Sequence, residues 1–220
     1  MWNNVWEDVF NRQAWGKYPA EPLIRFIAKN YFSSDRSDIN ILELGCGPGA
    51  NLWFFAREGF SFFGIDGSAS AIQQAAVRLD ADCPDWRIRG RIETGDITKI
   101  SLEDESYNCA VDNECVYCMP FSQSCKIYQN VWRILKPGGK LFIRTFATDS
   151  WGYGSGRQIE SDYYECTEGP LANKGYSRFT SESQIKILLS PFRQISIEKT
   201  SMSHLNQTRE VVEWIIEATK

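Results

Sequence analysis

The stretch ILELGCGPGANLWFFAREG occupies residues 41–59. A short apolar run ends in Glu43, three glycines follow at alternate positions, and an amphipathic run begins. Residues 39–44 fit a buried strand, and residues 50–57 fit a helix closed by Gly59. Glycines between a strand and a helix let the backbone approach a ligand closely, and the helix start behind them offers free N–H groups. The question posed by the stretch is which ligand sits there, and why a carboxylate stands beside the glycines.

The same alternation runs outward from this turn. Upstream, residues 19–32 have helical spacing, with Pro22 tolerated in the first turn. Downstream, SFFGID (61–66) is a strand, and Ser68 caps a helix with Ala71, Ile72, Ala75, Ala76 and Leu79 on one face. Residues 91–93 form a third, more polar strand ending at GDI, and residues 107–112 a fourth. Ser122 or Ser124 is the expected start of a helix to Leu135. KPGG (136–139) turns the chain into a fifth strand over 140–146. Strands alternating with helices predict parallel βαβ units in a doubly wound α/β sheet.

The tail breaks this rhythm. Residues 147–177 are polar and glycine-rich and read as a long loop. Thr180 or Ser181 caps a helix to Leu189. Two strands in succession, 194–202 and 210–218, predict an antiparallel hairpin at the end of the sheet. A single domain over 1–220 is expected. It comprises an N-terminal lid segment (1–18), a cofactor-binding core (39–146), an acceptor-side loop (147–177) and a terminal helix and β-hairpin (178–220).

The chain has 220 residues, 43% of them hydrophobic, enough for a sizeable core without staples. A net charge of −4 disfavours a nucleic-acid partner. No apolar run is long enough to span a membrane, and the N-terminus lacks the pattern of a signal peptide. Seven cysteines at scattered spacings, without a secretion signal, predict reduced thiols and a cytoplasmic location. Cys115 and Cys118 form one C-x-x-C pair with no second pair and a single histidine in the chain, so no metal site is expected.

GCGPGA satisfies both G-x-G-x-x-G/A, the dinucleotide fingerprint, and G-x-G-x-G. The glycines alone do not choose a cofactor. Glu43 favours one of them: a pyrophosphate would be repelled by a neighbouring carboxylate, whereas a cationic ligand would be attracted. S-adenosylmethionine carries a sulfonium and an ammonium, and its one carboxylate suits glycine N–H groups. Asp66, at the end of the second strand, is placed to bind both hydroxyls of a ribose.

These motifs together resemble the class I S-adenosylmethionine-dependent methyltransferase family. LELGCGPG is similar to its first motif, GIDGS to its second, GDI to its third, YNCAVDN to its fourth, and LKPGGKLFI to the turn into the fifth strand. The resemblance implies a Rossmann-like sheet of seven strands, mostly parallel with the last antiparallel. It implies that Glu43, Gly45, Cys46, Gly47 and Gly49 cradle the donor and that Asp66, with Gly67 and Ser68, takes the ribose. Asp96 would bind the adenine amino group and Ile97 pack on the ring, with Asp112 and Asn113 at the end of the fourth strand. Asn108 stands where the family often has Asp. The Asn-Pro-Pro-Tyr signature of many nucleic-acid amino methylases is missing, which favours a small-molecule acceptor.

In similar methyltransferases an N-terminal segment closes over the cofactor, so Trp15, Lys17 and Tyr18 are candidates to reach it. Trp6 and Phe10 are expected to pack on the sheet face. The loop 147–177, rich in acids, suits a neutral or cationic acceptor. For an acceptor that must lose a proton, the candidate bases are Asp112, Glu114, Tyr117 and His204. A nicotinamide-dependent oxidoreductase and a non-catalytic adenosyl-binding module are the alternatives. Acceptor identity and oligomeric state are not readable.

Overall fold

The computed structural model describes residues 4–220; the first three residues of the expected lid segment lie outside the described residues. Seven strands form one sheet: β1 (Asn40–Leu44), β2 (Ser61–Asp66), β3 (Gly90–Thr94), β4 (Tyr107–Asn113), β5 (Leu135–Phe146), β9 (Arg193–His204) and β10 (Arg209–Thr219). Their order is β3-β2-β1-β4-β5-β10-β9, with β10 antiparallel to both neighbours and the other pairings parallel. The terminal hairpin thus inserts its last strand beside β5, as the resemblance implies.

The sheet is buried on both faces because its central strands carry apolar side chains on both of them, a parallel-sheet signature. Side chains alternate between two cores. Ile41, Cys109, Val111 and Phe142 face α2 (Glu21–Tyr31) and α3 (Ala50–Glu58). Leu42, Leu44, Ala110 and Ile143 face α5 (Phe121–Ile134) and α6 (Glu182–Leu188). Phe142 is fully buried with its ring 5.3 Å from that of Phe26; burying a side chain of this size contributes about 2–3 kcal/mol. Ser68 caps α4 (Ala69–Asp82) by accepting from Ala71 N–H at 3.1 Å. Gly59 adopts φ +82°, which lets Phe60 N–H reach the Phe55 carbonyl at 3.0 Å and ends α3.

Two expectations change and a third is narrowed. Neither Ser122 nor Ser124 caps α5: Pro120 is the N-cap, and Ser124 is buried with its hydroxyl 3.2 Å from the Pro120 carbonyl. For α6 the cap is Ser181, in a capping box with Gln184. The region 147–177 is not a structureless loop. Together with Arg178 it contains a small antiparallel sheet of β6 (Arg157–Glu160), β7 (Tyr163–Glu165) and β8 (Tyr176–Arg178). Its anchor is Arg178, 1% exposed, which donates to Thr180 Oγ1 (2.6 Å), Ser124 Oγ (3.1 Å) and the Met119 carbonyl (3.4 Å). Tyr163 adds a hydroxyl bond to the Cys118 carbonyl at 2.8 Å. Among the described residues no helix is long and apolar enough to cross a membrane.

Candidate functional site

The C-terminal ends of β1, β2, β4 and β5 open onto a cavity of about 750 Å³, within the range of small-molecule sites. The glycine turn forms its floor. Gly45 takes φ +64°, and a Cβ there would lie 2.2 Å from Cys115 Sγ, so no other residue fits without displacing the turn after β4. Gly45 and Cys46 donate to the Ile65 carbonyl at 2.8 and 3.1 Å, fastening the turn to β2. Gly49 plays a different part. It does not line the cavity; a Cβ on it would meet Ala75 at 2.9 Å, so it lets α3 and α4 pack closely.

Two buried carboxylates flank the turn. Asp66, 5% exposed, accepts from Gly47 N–H and Ser68 N–H, both at 2.8 Å. Burial holds its carboxyl above the ordinary aspartate value. Glu43 is 2% exposed, and its Oε1 accepts from Asn51 Nδ2 at 2.6 Å. Its Oε2 has no hydrogen-bond partner among the described residues. Burial, against the opposing Asn51 hydrogen bond, pushes Glu43 up to about 8. A buried carboxylate oxygen without a partner, on a residue that lines a cavity, favours a cationic group beside it.

Most of the expected cofactor residues line this cavity: Glu43, Gly45, Cys46, Gly47, Asp66 and Gly67 on one side, and Asp96, Ile97 and Asn113 on another. Asp96 Oδ1 accepts from Thr98 N–H at 2.9 Å, which holds the GDI turn open toward the cavity. Trp15 also lines the cavity. Ser68 does not; it caps α4. Asp112 lies beneath the wall, accepting from Cys115 and Val116 N–H (2.9 and 3.1 Å) and from the Tyr128 hydroxyl (2.6 Å). It pins the turn after β4 and touches no ligand space. Tyr18 is 72% exposed, its ring 5.7 Å from Trp53, and neither it nor Lys17 reaches the cavity.

Of the expected bases, Glu114 and Tyr117 line the cavity. Burial pushes the Tyr117 phenol well up, which makes it a poor proton acceptor. His204 ends β9 with its ring 6.1 Å from Trp151, away from the cavity. Cys115 and Cys118 share the cavity wall, all seven cysteines are free, and among the described residues no cluster suits a metal ion.

The N-terminal helix α1 (Val5–Arg12) corrects another expectation. Trp6 and Phe10 do not pack on the sheet face; they line the cavity, in a ring cluster with Trp15. Glu7 holds the helix there by accepting from Ser68 Oγ (2.5 Å) and from the Ser70 hydroxyl. Gln74 Nε2 donates to the Phe10 carbonyl at 2.9 Å. A carboxylate at the start of α4 is favoured by the unpaired N–H groups there. The spacing of Trp6 and Phe10, one helical turn apart, signals an apolar face without saying what it covers. Gln123, Tyr163, Lys174 and Tyr176, which line the far end, carry no local motif.

The methyltransferase domain model matches residues 35–211. Among curated relatives, the arsenite methyltransferase of Aquipseudomonas alcaligenes is 29% identical over 140 residues, 60% of this chain and 39% of that protein. The tRNA N(3)-methylcytidine methyltransferase of Schizosaccharomyces pombe is 26% identical over 137 residues, 56% of this chain and 43% of that protein. The chain therefore spans less than half the length of these two relatives. Among solved structures, a SAM-dependent methyltransferase of Methanosarcina mazei superposes with a TM-score of 0.70 at 20% identity, covering 91% of this chain and 98% of that one. That likeness shows the fold, and the nicotinamide alternative gains no support from any of the three. With the family model spanning well over half its length, the chain belongs to the class I S-adenosylmethionine-dependent methyltransferase family.

Proposed function

We propose that the protein transfers a methyl group from S-adenosylmethionine to a small-molecule acceptor. The observation that carries this reading is the open Oε2 of buried Glu43 beside a glycine turn. A pyrophosphate there would add negative charge to two buried carboxylates; an adenosyl ligand with a cationic amino-acid end relieves it. The residues fit that ligand. Glu43 would hold the cationic end, the N–H groups at the start of α3, where Ala50 and Asn51 line the cavity, its carboxylate, Asp66 the ribose, and Asp96 with Ile97 the adenine.

When bound, the donor supplies a methyl group already activated by positive sulfur. The chain's own contribution is alignment and exclusion of water. Helix α1 covers the cavity with Trp6 and Phe10, and the small β6–β8 sheet closes the opposite side with Tyr163 and Tyr176. A cavity of about 750 Å³ shared by donor and acceptor favours a compact acceptor. The net charge of −4 favours one that is not a polyanion. Seven free cysteines favour a reducing compartment such as the cytoplasm.

Calorimetry with S-adenosylhomocysteine and with a nicotinamide dinucleotide tests the reading. Binding of the former alone is expected; binding of the dinucleotide alone overturns it.

A further inference from the structure

The acceptor end of the cavity has its own electrostatic design, and its centre is Glu114. This residue follows β4 with φ +61°, a left-handed conformation that non-glycine residues rarely adopt. It is fixed there by its N–H bond to the Arg144 carbonyl at 2.9 Å. Strain held in place on a cavity wall directs attention to the side chain it aims.

Glu114 Oε1 has no hydrogen-bond partner among the described residues, and Arg144 Nη2 stands 3.3 Å away as an ion-pair partner. That guanidinium is already committed. Its Nε and Nη2 donate to both oxygens of Glu213 at 2.7–2.9 Å. One cation thus serves two carboxylates, and the surplus negative charge falls on the one facing the cavity. Asp112 beneath adds to it. Gln123 Oε1, on the same cavity, is likewise without a partner.

Little on the wall would welcome an anion. Lys174 is the only lysine or arginine lining the cavity among the described residues, and its Nζ sits over the Trp15 ring, 5.4 Å from the centroid. Burial pulls its ammonium below the usual lysine value, with Glu114 opposing. Much of the remaining surface is aromatic or apolar. Tyr117 packs on Phe146 with ring centroids 5.2 Å apart, and Tyr163 on Tyr176 at 5.7 Å. Ring faces attract cations.

We propose that the acceptor is an amine on a compact aromatic or apolar body, its N–H groups held by Glu114 and Gln123 and its proton taken by Glu114. This rests on the methyltransferase reading above. The bound ammonium gives one proton to the Glu114 carboxylate, leaving an amine with a free lone pair. That pair forms the N–C bond to the methyl group as the S–C bond breaks, and the sulfur keeps the bonding electrons. The products are a methylated ammonium, S-adenosylhomocysteine and protonated Glu114, which returns its proton to water. Burial, and then the neighbouring Glu213, push the Glu114 carboxyl above the usual glutamate value, in the direction that makes it a better proton acceptor.

The test is calorimetry on the full chain saturated with S-adenosylhomocysteine, using two probes of matched shape: tyramine and 3-(4-hydroxyphenyl)propionate. Tyramine is expected to bind at least tenfold more tightly. Glu114→Gln, which keeps the shape and removes the charge, is expected to erase that preference while S-adenosylhomocysteine still binds. Gln123→Leu is expected to weaken tyramine alone, by several-fold. Equal or reversed affinities, no tyramine binding, or a preference that survives in Glu114→Gln overturns the amine assignment and leaves the methyltransferase reading standing. Failure of S-adenosylhomocysteine to bind the unaltered protein removes that reading itself.

Discussion

The two ends of the cavity are built on opposite plans. The proposed donor end is local: Glu43, the glycine turn and Asn51 come from one strand–turn–helix passage, and Asp66 ends the adjacent strand. The proposed acceptor end is assembled from distant pieces: Glu114 after β4, Gln123 on α5, Lys174 and Tyr176 before and within β8, and Trp6 on α1. The donor end is held by backbone hydrogen bonds within the parallel sheet. The acceptor end depends on side-chain ties across the fold, such as Arg178 to Ser124 and Tyr163 to Cys118. The first should therefore fail by steric intrusion, the second by loss of anchoring.

The sharpest way to break the donor end is Gly45→Val. Its side chain would collide with Cys115 Sγ in a backbone conformation that β-branched residues avoid. S-adenosylhomocysteine affinity should fall more than 100-fold by calorimetry. Asp66→Asn should weaken it by roughly 30-fold, since a charged hydrogen-bonding group is worth about 2 kcal/mol. Retention of full affinity in Asp66→Asn would mean that the ribose is held elsewhere.

Glu43 gives the donor end a pH signature. Its carboxyl in the free protein sits at about 8, and a bound cation lowers that value. Below about 8, binding therefore expels a proton, so affinity should rise with pH, by up to about tenfold per unit, and level off above about 8. Glu43→Gln should flatten the profile. A pH-independent affinity in the unaltered protein would detach Glu43 from the ligand's cation.

For the acceptor end, Arg178→Leu strips Thr180 of its buried donor and removes the Arg178 bonds to Ser124 and the Met119 carbonyl, and should cost about 2–3 kcal/mol. In a chain of this size that lowers Tm by about 5–10 °C. S-adenosylhomocysteine affinity should change by only a few-fold, because no donor-side residue touches Arg178. A collapse of donor binding in this variant would show that the two ends are not separable. The smallest effect belongs to Tyr18→Phe and Lys17→Ala, which should leave that affinity unchanged; a loss in either would put the N-terminal linker over the cofactor after all.

The same contrast explains what could be read early. Alternating apolar strands and helices, Ser68 as a cap and Gly59 as a helix stop are local signals, and each lies where the spacing puts it. The GDI and GID turns also open on the cavity, because strand ends in a parallel sheet all point the same way. Asp112 and His204 illustrate the limit. Their residue types suit a site, but Asp112 spends its oxygens on the turn beneath the wall, and His204 lies at the far end of a hairpin. The β6–β8 sheet is not legible in the sequence because its strands are only three or four residues long and carry no clear apolar alternation. Arg178 went unseen because a buried arginine has no sequence signature apart from its partners.

The sequence by itself determined the sheet, its antiparallel last strand and the carboxylate-flanked glycine turn, since hydrophobic period, caps and turn residues act over a few positions. Only the tertiary structure decided which helix covers the cavity, which carboxylate lines it and which merely supports a turn. Those choices depend on burial and on partners brought together across the chain, and a side chain's charge and reach take their meaning from what surrounds it.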